Sequence, residues 1–205
     1  MKYIILTIML VVCSLLLNGQ EINYYKGKSV ITSDLYEYNV KDIGQRRVLL
    51  SNTQNELFDI KKWTYKNGSP NVYPGSVKPG VEPDNMKVFY DAFRSVFTIQ
   101  EIEQMKQGIS GGVVYYDDDE REKTIPVDQI SFTIYSVVSS AGELLELEIH
   151  FPNITVFNTI NPDKMFALEQ ALKEEGRVMF KIPEKTKELV DYVIGISVRV
   201  RISDL

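Results

Sequence analysis

His150 is the only histidine of the 205-residue chain, and it alternates with Glu146 and Glu148. An imidazole beside a carboxylate can move a proton near neutral pH, and i, i+2 spacing on a strand puts Glu148 and His150 on one face. A single histidine excludes a histidine triad or a multi-histidine metal site within one chain. The simpler reading of this stretch is a solvent-facing strand whose mixed charge suits an exposed sheet face.

The sharpest charge feature is Asp117-Asp118-Asp119-Glu120, after Tyr115-Tyr116 and before Arg121-Glu122-Lys123. Calcium takes several oxygen ligands, which a loop of carboxylates can supply, yet the EF-hand spacing with its central glycine is missing and adjacent aspartates diverge. A solvated hairpin tip is the better reading. Paired carboxylates among Asp117, Asp118, Glu146 and Glu148 could serve as acid and base of a small hydrolase, although no spacing demands it. Gly108, Gly111 and Gly112 lack the lysine and spacing of a phosphate loop and read as a helix stop and turn. Twelve tyrosines offer apolar faces with polar tips that suit recognition surfaces. Tyr115, Tyr116, Glu148 and His150 are the candidate binding surface. Trp63 is the single tryptophan, which argues against a sugar-stacking platform. No motif assigns a catalytic residue or a cofactor.

These residues follow an export signal. Met1 and Lys2 precede an apolar run from Tyr3 to Leu17, closed by Asn18-Gly19-Gln20. The run is about 15 residues, short of the roughly 20 that span a bilayer as a helix, so cleavage after Gly19 is expected. Cleavage also removes Cys13, the only cysteine, and with it any disulfide or thiolate site. Without Lys2, 22 basic residues face 28 acidic ones, a charge of about −6. That balance opposes binding to nucleic acid or anionic membrane, which draw affinity from Lys/Arg clusters.

Four prolines between Pro70 and Pro83 interrupt regular structure and mark a long loop. It divides a β-rich segment, residues 20–83, from an α+β region, residues 84–205, unless 20–205 form one compact domain. Strands are expected over 30–32, 35–40 and 47–50. Asp84 can cap a helix through Val96, and Thr98 with Glu101 forms a capping-box pattern for a second. Phe132, Ile134 and Val138, then Leu145, Leu147, Ile149 and Phe151, alternate around Ser139–Gly142 as a hairpin. Asn161-Pro162 opens a helix that Gly176 ends. Val178, Phe180 and Ile182 suggest a short strand. From Tyr192 to Ile202, Tyr192, Ile194, Ile196, Val198, Val200 and Ile202 are expected to share one face. The C-terminal half thus reads β-β-α-β-β, a helix packed on an antiparallel sheet.

With Ser140-Ala141-Gly142-Glu143 between the hairpin strands, Phe180-Lys181-Ile182-Pro183 and the closing Val198-Arg199-Val200-Arg201-Ile202, residues 130–202 resemble the C-terminal domain of TonB-type periplasmic proteins. The whole chain is similar to uncharacterised exported proteins of Bacteroidetes. The first resemblance implies that an extended peptide adds to the sheet edge beside the hairpin. Both imply a periplasmic or secreted location. The expectation is a non-enzymatic binding or interaction module with an envelope protein or peptide as partner. The alternatives are a small carboxylate-dependent hydrolase or a carbohydrate-binding protein.

Overall fold

The computed structural model describes residues 22–44, 46–60, 64–71, 77–116, 121–174 and 177–205. The leader, Trp63, Tyr73, Gly176 and the acidic run Asp117–Glu120 lie outside the described residues. Helices and antiparallel strands both contribute, about 29% and 35% of the chain, so the class is α+β.

Six strands form one antiparallel sheet: β1 (Val30–Thr32), β2 (Glu37–Ile43), β3 (Arg47–Asn52), β7 (Ser131–Ser139), β8 (Leu144–Pro152) and β10 (Tyr192–Arg201), in the order β1-β2-β3-β8-β7-β10. The hairpin β7–β8 is therefore interior, with β3 on one flank and β10 on the other. Strands from residues 30–52 and 131–201 thus share one ladder. Two smaller pairs complete the strands: β4 (Glu82–Pro83) with β9 (Phe180–Lys181), and β5 (Val113–Tyr116) with β6 (Glu122–Ile125).

The expected strand over 178–182 is confined to Phe180–Lys181, outside the main sheet. It crosses the hairpin turn instead, where Phe180 N–H donates to Gly142 O at 2.8 Å. Gly142 has φ +95°, and a Cβ there would lie 2.3 Å from Phe180 O. Only glycine permits that approach.

Two bulges correct the expected alternation, since one extra residue moves every later side chain to the opposite face. A register shift at Gly195 (φ +69°) sends Val193, rather than Tyr192 or Ile194, into the core. A second, at Val137/Val138, leaves Leu145 unpaired and 39% exposed.

The described helices are α1 (Lys87–Val96), α2 (Ile99–Gly108), α3 (Thr155–Asn158), α4 (Pro162–Lys173) and α5 (Glu184–Leu189), of which α2 and α4 carry side-chain N-caps. Phe89, Ala92 and Phe93 are the buried side of α1. Asp84 does not cap it: the helix starts three residues later, the Asp84 carboxylate lies 3.4 Å from Lys181 Nζ, and Asn85 Oδ1 accepts from Lys87 N–H instead. The capping box of α2 is complete, Thr98 Oγ1 accepting from Glu101 N–H while Glu101 accepts from Thr98 N–H. Asn161 caps α4 with Pro162 at its first position.

Phe132 is the hub of the core. Its ring meets Phe93 at 5.0 Å, Phe157 at 5.3 Å, Phe151 at 5.8 Å and Phe97 at 6.5 Å, and all five are buried. Around this apolar centre, three buried tyrosines fasten residues 25–38 to the α4 region through their phenols. Tyr25 donates to Ile160 O (2.7 Å), Tyr36 to Asp163 Oδ1 (2.6 Å) and Tyr38 to Glu169. Glu169 is itself fully buried, and it also accepts from Asn52 Nδ2 and from Lys173 Nζ at 2.8 Å. A buried carboxylate is tolerable when its lone pairs are filled in this way.

Burial drives all three phenols above their ordinary pKa of 10, reinforced at Tyr36 by the bond to Asp163, which brings it to about 12. Below pH 10 these phenols are protonated in both folded and unfolded chains, so their contribution to stability is complete. Between pH 10 and about 12 the unfolded chain ionises first, and stability falls. Urea midpoints measured from pH 8 to 12 should hold level to about pH 10 and then drop. A midpoint unchanged through pH 12 would contradict this assignment.

Candidate functional site

Glu148 and His150 do come together, on the face of β8 turned away from the helices. The Glu148 carboxylate is 3.7 Å from His150 Nε2, and the imidazole lies against the Tyr135 ring with centroids 4.3 Å apart and planes tilted by 38°. The face is not the open surface that alternation suggests. His150 is only 8% exposed and Glu146 9%. In register, His150 lies between Leu49 of β3 and Thr133 of β7, both buried. Arg47 reaches across the same face to donate from Nη2 to Thr133 Oγ1 at 2.7 Å, and burial lowers its pKa.

Glu146 has a structural partner set of its own. Its carboxylate accepts from three consecutive backbone N–H groups, Glu56 (2.8 Å), Leu57 (2.9 and 3.0 Å) and Phe58 (3.2 Å). Asn55 Nδ2 adds a bond to Leu147 O at 2.9 Å. Residues 55–58 are thereby pinned on the sheet, and Glu146 is the anchor of a loop. Tyr115 lies elsewhere, on β5, with the Arg46 guanidinium 4.2 Å above its ring. Tyr116 pairs through its backbone register with Glu122. Among the described residues no group of three His, Cys, Asp or Glu could hold a metal ion.

Concave surface occurs at a different place, where β8 runs into α3. One cleft, of about 690 Å³, lies between α2 and β5 and is lined by Gln104, Gln107, Gly112–Val114, Ile154–Val156 and Thr159. Gly108 allows its tight floor, since a Cβ there would come within 2.8 Å of Val156. A second cleft, of about 700 Å³, is walled by Asn23, Lys26, Gly27, Asp42, Asn153, Ile154, Thr155 and Asn158. Ile154 and Thr155 border both.

The second cleft is organised by a relay of side-chain hydrogen bonds. Asn153 Nδ2 donates to Asp42 Oδ2 at 2.9 Å, and Asn158 Nδ2 donates to Asn153 Oδ1 at 2.8 Å. The polarity of the relay follows from chemistry: an ionised carboxylate can only accept, so Asn153 must turn its amide nitrogen to Asp42 and its oxygen to Asn158. Asn158 is then left with Oδ1 unbonded, in a residue only 4% exposed. A buried acceptor without a donor costs about 1–3 kcal/mol. Asn23 is oriented too, its Oδ1 accepting from Tyr25 and Lys26 N–H. Periodicity could not single out these residues, because Asp42, Asn153 and Asn158 occupy a strand end, a turn and a four-residue helix. Asn153-Ile154-Thr155 is legible only as a sequon-like triplet.

Fold and clefts together define an antiparallel α+β protein with a polar groove at one end of its sheet. No family model matches the chain, and no curated protein matches it. Among solved structures it is similar to a DUF5043 family protein from Bacteroides uniformis ATCC 8492, with a TM-score of 0.59, 20% identity and 87% of each chain covered. That likeness shows the fold, and its counterpart is a Bacteroides domain of unknown function.

The Glu146 anchor makes a testable claim about stability. Glu146→Ala strands three amide donors and should cost about 3 kcal/mol in urea unfolding, whereas Glu143→Ala, at the exposed hairpin turn, should cost less than about 0.5 kcal/mol. Equal effects would show that the cradle contributes nothing.

Proposed function

We propose that this protein is a non-enzymatic binding module of the periplasm or cell envelope, with its ligand seated in the cleft walled by Asp42, Asn153 and Asn158. The observation that carries the reading is the cleft itself, of about 700 Å³, with the Asp42 and Asn153 side chains fixed on its wall by the relay that Asn158 continues inward. Polar side chains held in fixed orientation around a concave surface are what a ligand site requires.

Strand addition directly on the hairpin is blocked, since β8 pairs with β3 and β7 with β10; the strands at the ends of the sheet are β1 and β10. Hydrolysis by paired carboxylates loses Glu146 to backbone amides and leaves Glu148 against a nine-tenths buried histidine. Export is supported by the Lys2 to Gln20 leader pattern. No helix among the described residues is long and apolar enough to cross a membrane.

Two measurements test this reading. N-terminal sequencing of protein recovered by osmotic shock should begin at Gln20, and an intact Met1 in the cytosolic fraction would refute export. A solubilised envelope extract should raise the melting temperature of the wild-type protein and not of Asp42→Ala. Turnover of an extract component that Glu148→Gln abolishes would favour the hydrolase instead.

A further inference from the structure

We infer that the free edge of β10 takes an extended, acidic segment of a partner protein as an added antiparallel strand, at a surface separate from the cleft. β10 closes one end of the six-stranded sheet and pairs with β7 alone. Ile202 N–H donates to Ile130 O, which sets the phase of that ladder. In an antiparallel pair every second residue spends both backbone groups on its neighbour. Ile196, Val198 and Val200 therefore bond β7, while Ser197, Arg199 and Arg201 turn their N–H and C=O to the open side.

The two ends of this edge are engaged. Lys78 Nζ donates to Gly195 O at 3.3 Å, and Arg201 N–H faces the Tyr90 hydroxyl of α1. Between them the backbone groups of Ser197 and Arg199 have no protein partner among the described residues. Both residues are exposed, whereas Val198 and Val200 are buried. Unpaired amides and carbonyls in line along a strand are a template for one more strand.

Charge selects that strand. The side chains of Ser197, Arg199 and Arg201 share the sheet face turned away from the helices, opposite Tyr135, Thr133 and Ser131 of β7. Neither arginine makes an ion pair among the described residues. Arg47 adds a third guanidinium, its Nη2 bonded to Thr133 Oγ1 at 2.7 Å and within 3.5 Å of Ser131 O. In a chain with 28 acidic and 23 basic residues this is a local reversal of sign. Residues directly opposite on one face lie about 5 Å apart, so carboxylates at every second position of an added strand meet Arg199 and Arg201. A guanidinium fork takes a carboxylate bidentately.

Other occupants use half of the surface. A second copy would bring its own Arg199 and Arg201 to the same face and set guanidinium against guanidinium. An anionic membrane would meet the arginines and leave the backbone groups of Ser197 and Arg199 idle. An apolar strand would fill the ladder and leave the arginines unpaired.

The test titrates the purified protein with an octapeptide that alternates threonine and glutamate, following backbone amides by ¹H–¹⁵N NMR. The Ser197 and Arg199 amides should shift and exchange more slowly with solvent. Affinity should fall about tenfold when glutamine replaces glutamate in the peptide, and again in Arg199→Ala, each the loss of a charged hydrogen bond. Arg199→Ala should keep the wild-type melting temperature, because the side chain it removes is exposed and unpaired. In the added strand the glutamate N–H groups face β10 and the threonine N–H groups face away, so N-methylation of the glutamates should abolish binding and N-methylation of the threonines should not. A glutamine peptide as tight as the glutamate one would overturn the acidic partner, and equal binding of the two methylated peptides would overturn the added strand. Phosphatidylglycerol vesicles that shift these signals where the glutamate peptide does not would make the edge a membrane contact and overturn the proposal. A response confined to Asp42, Asn153 and Asn158 would seat the peptide in the cleft and overturn the edge site alone.

Discussion

Phe132 at the centre of β7 is the contact on which the remainder of the molecule is assembled. Four other aromatic rings meet it, and they come from α1 and its C-terminal boundary, from β8 and from α3. One side chain therefore fixes the sheet, its covering helices and the short helix beyond the hairpin against one another. Truncating such a ring removes about 3–5 kcal/mol, a large share of the stability of a domain this size. Rings at 5–6 Å with tilted or edge-on planes also restrict rotation, so the hub sets orientation as well as burial.

Around that hub the attachments are polar and specific. The phenols of Tyr25, Tyr36 and Tyr38 each reach a different acceptor in residues 160–169, so the early strands are held to α4 by directional bonds. On the other face Glu146 performs the same service for residues 55–58. Hydrophobic contact sets how much surface is buried, and these bonds set which of several packings is adopted. Glu146, a carboxylate whose spacing suggested chemistry, and these three tyrosines are in this way structural.

The clefts are a by-product of the same arrangement. Phe157 must enter the aromatic cluster, which draws α3 close beneath the end of β8 and under α2, where Gly108 leaves room for Val156. The chain between Asn153 and Asn158 is then bent around a narrow ridge with concave surface on both sides. Asn158 is carried inward beside Phe157, and its amide finds a partner for the nitrogen only. The groove is thus fixed by the core, and the relay fixes the Asp42 and Asn153 side chains on its wall.

What the sequence alone determined is local. The period-two runs of β7 and β8, the capping box at Thr98 and Glu101, and the Asn161-Pro162 start of α4 are set by contacts within a few residues, so they can be read along the chain. The pairing of Glu148 with His150 is local in the same sense. Only the tertiary structure decided that His150 is buried, because the strands that flank it are β3 and β7. It alone decided that β9 leaves the sheet and that Val193 replaces Ile194 in the core, since a bulge depends on what the neighbouring strand and the Gly142 turn require. The Asp42–Asn153–Asn158 relay is the extreme case. Its members are 111 and 5 positions apart, and no periodicity links them. A hydrogen bond between distant residues exists only after the hydrophobic core has brought their backbones within reach, and that encounter is a property of the fold.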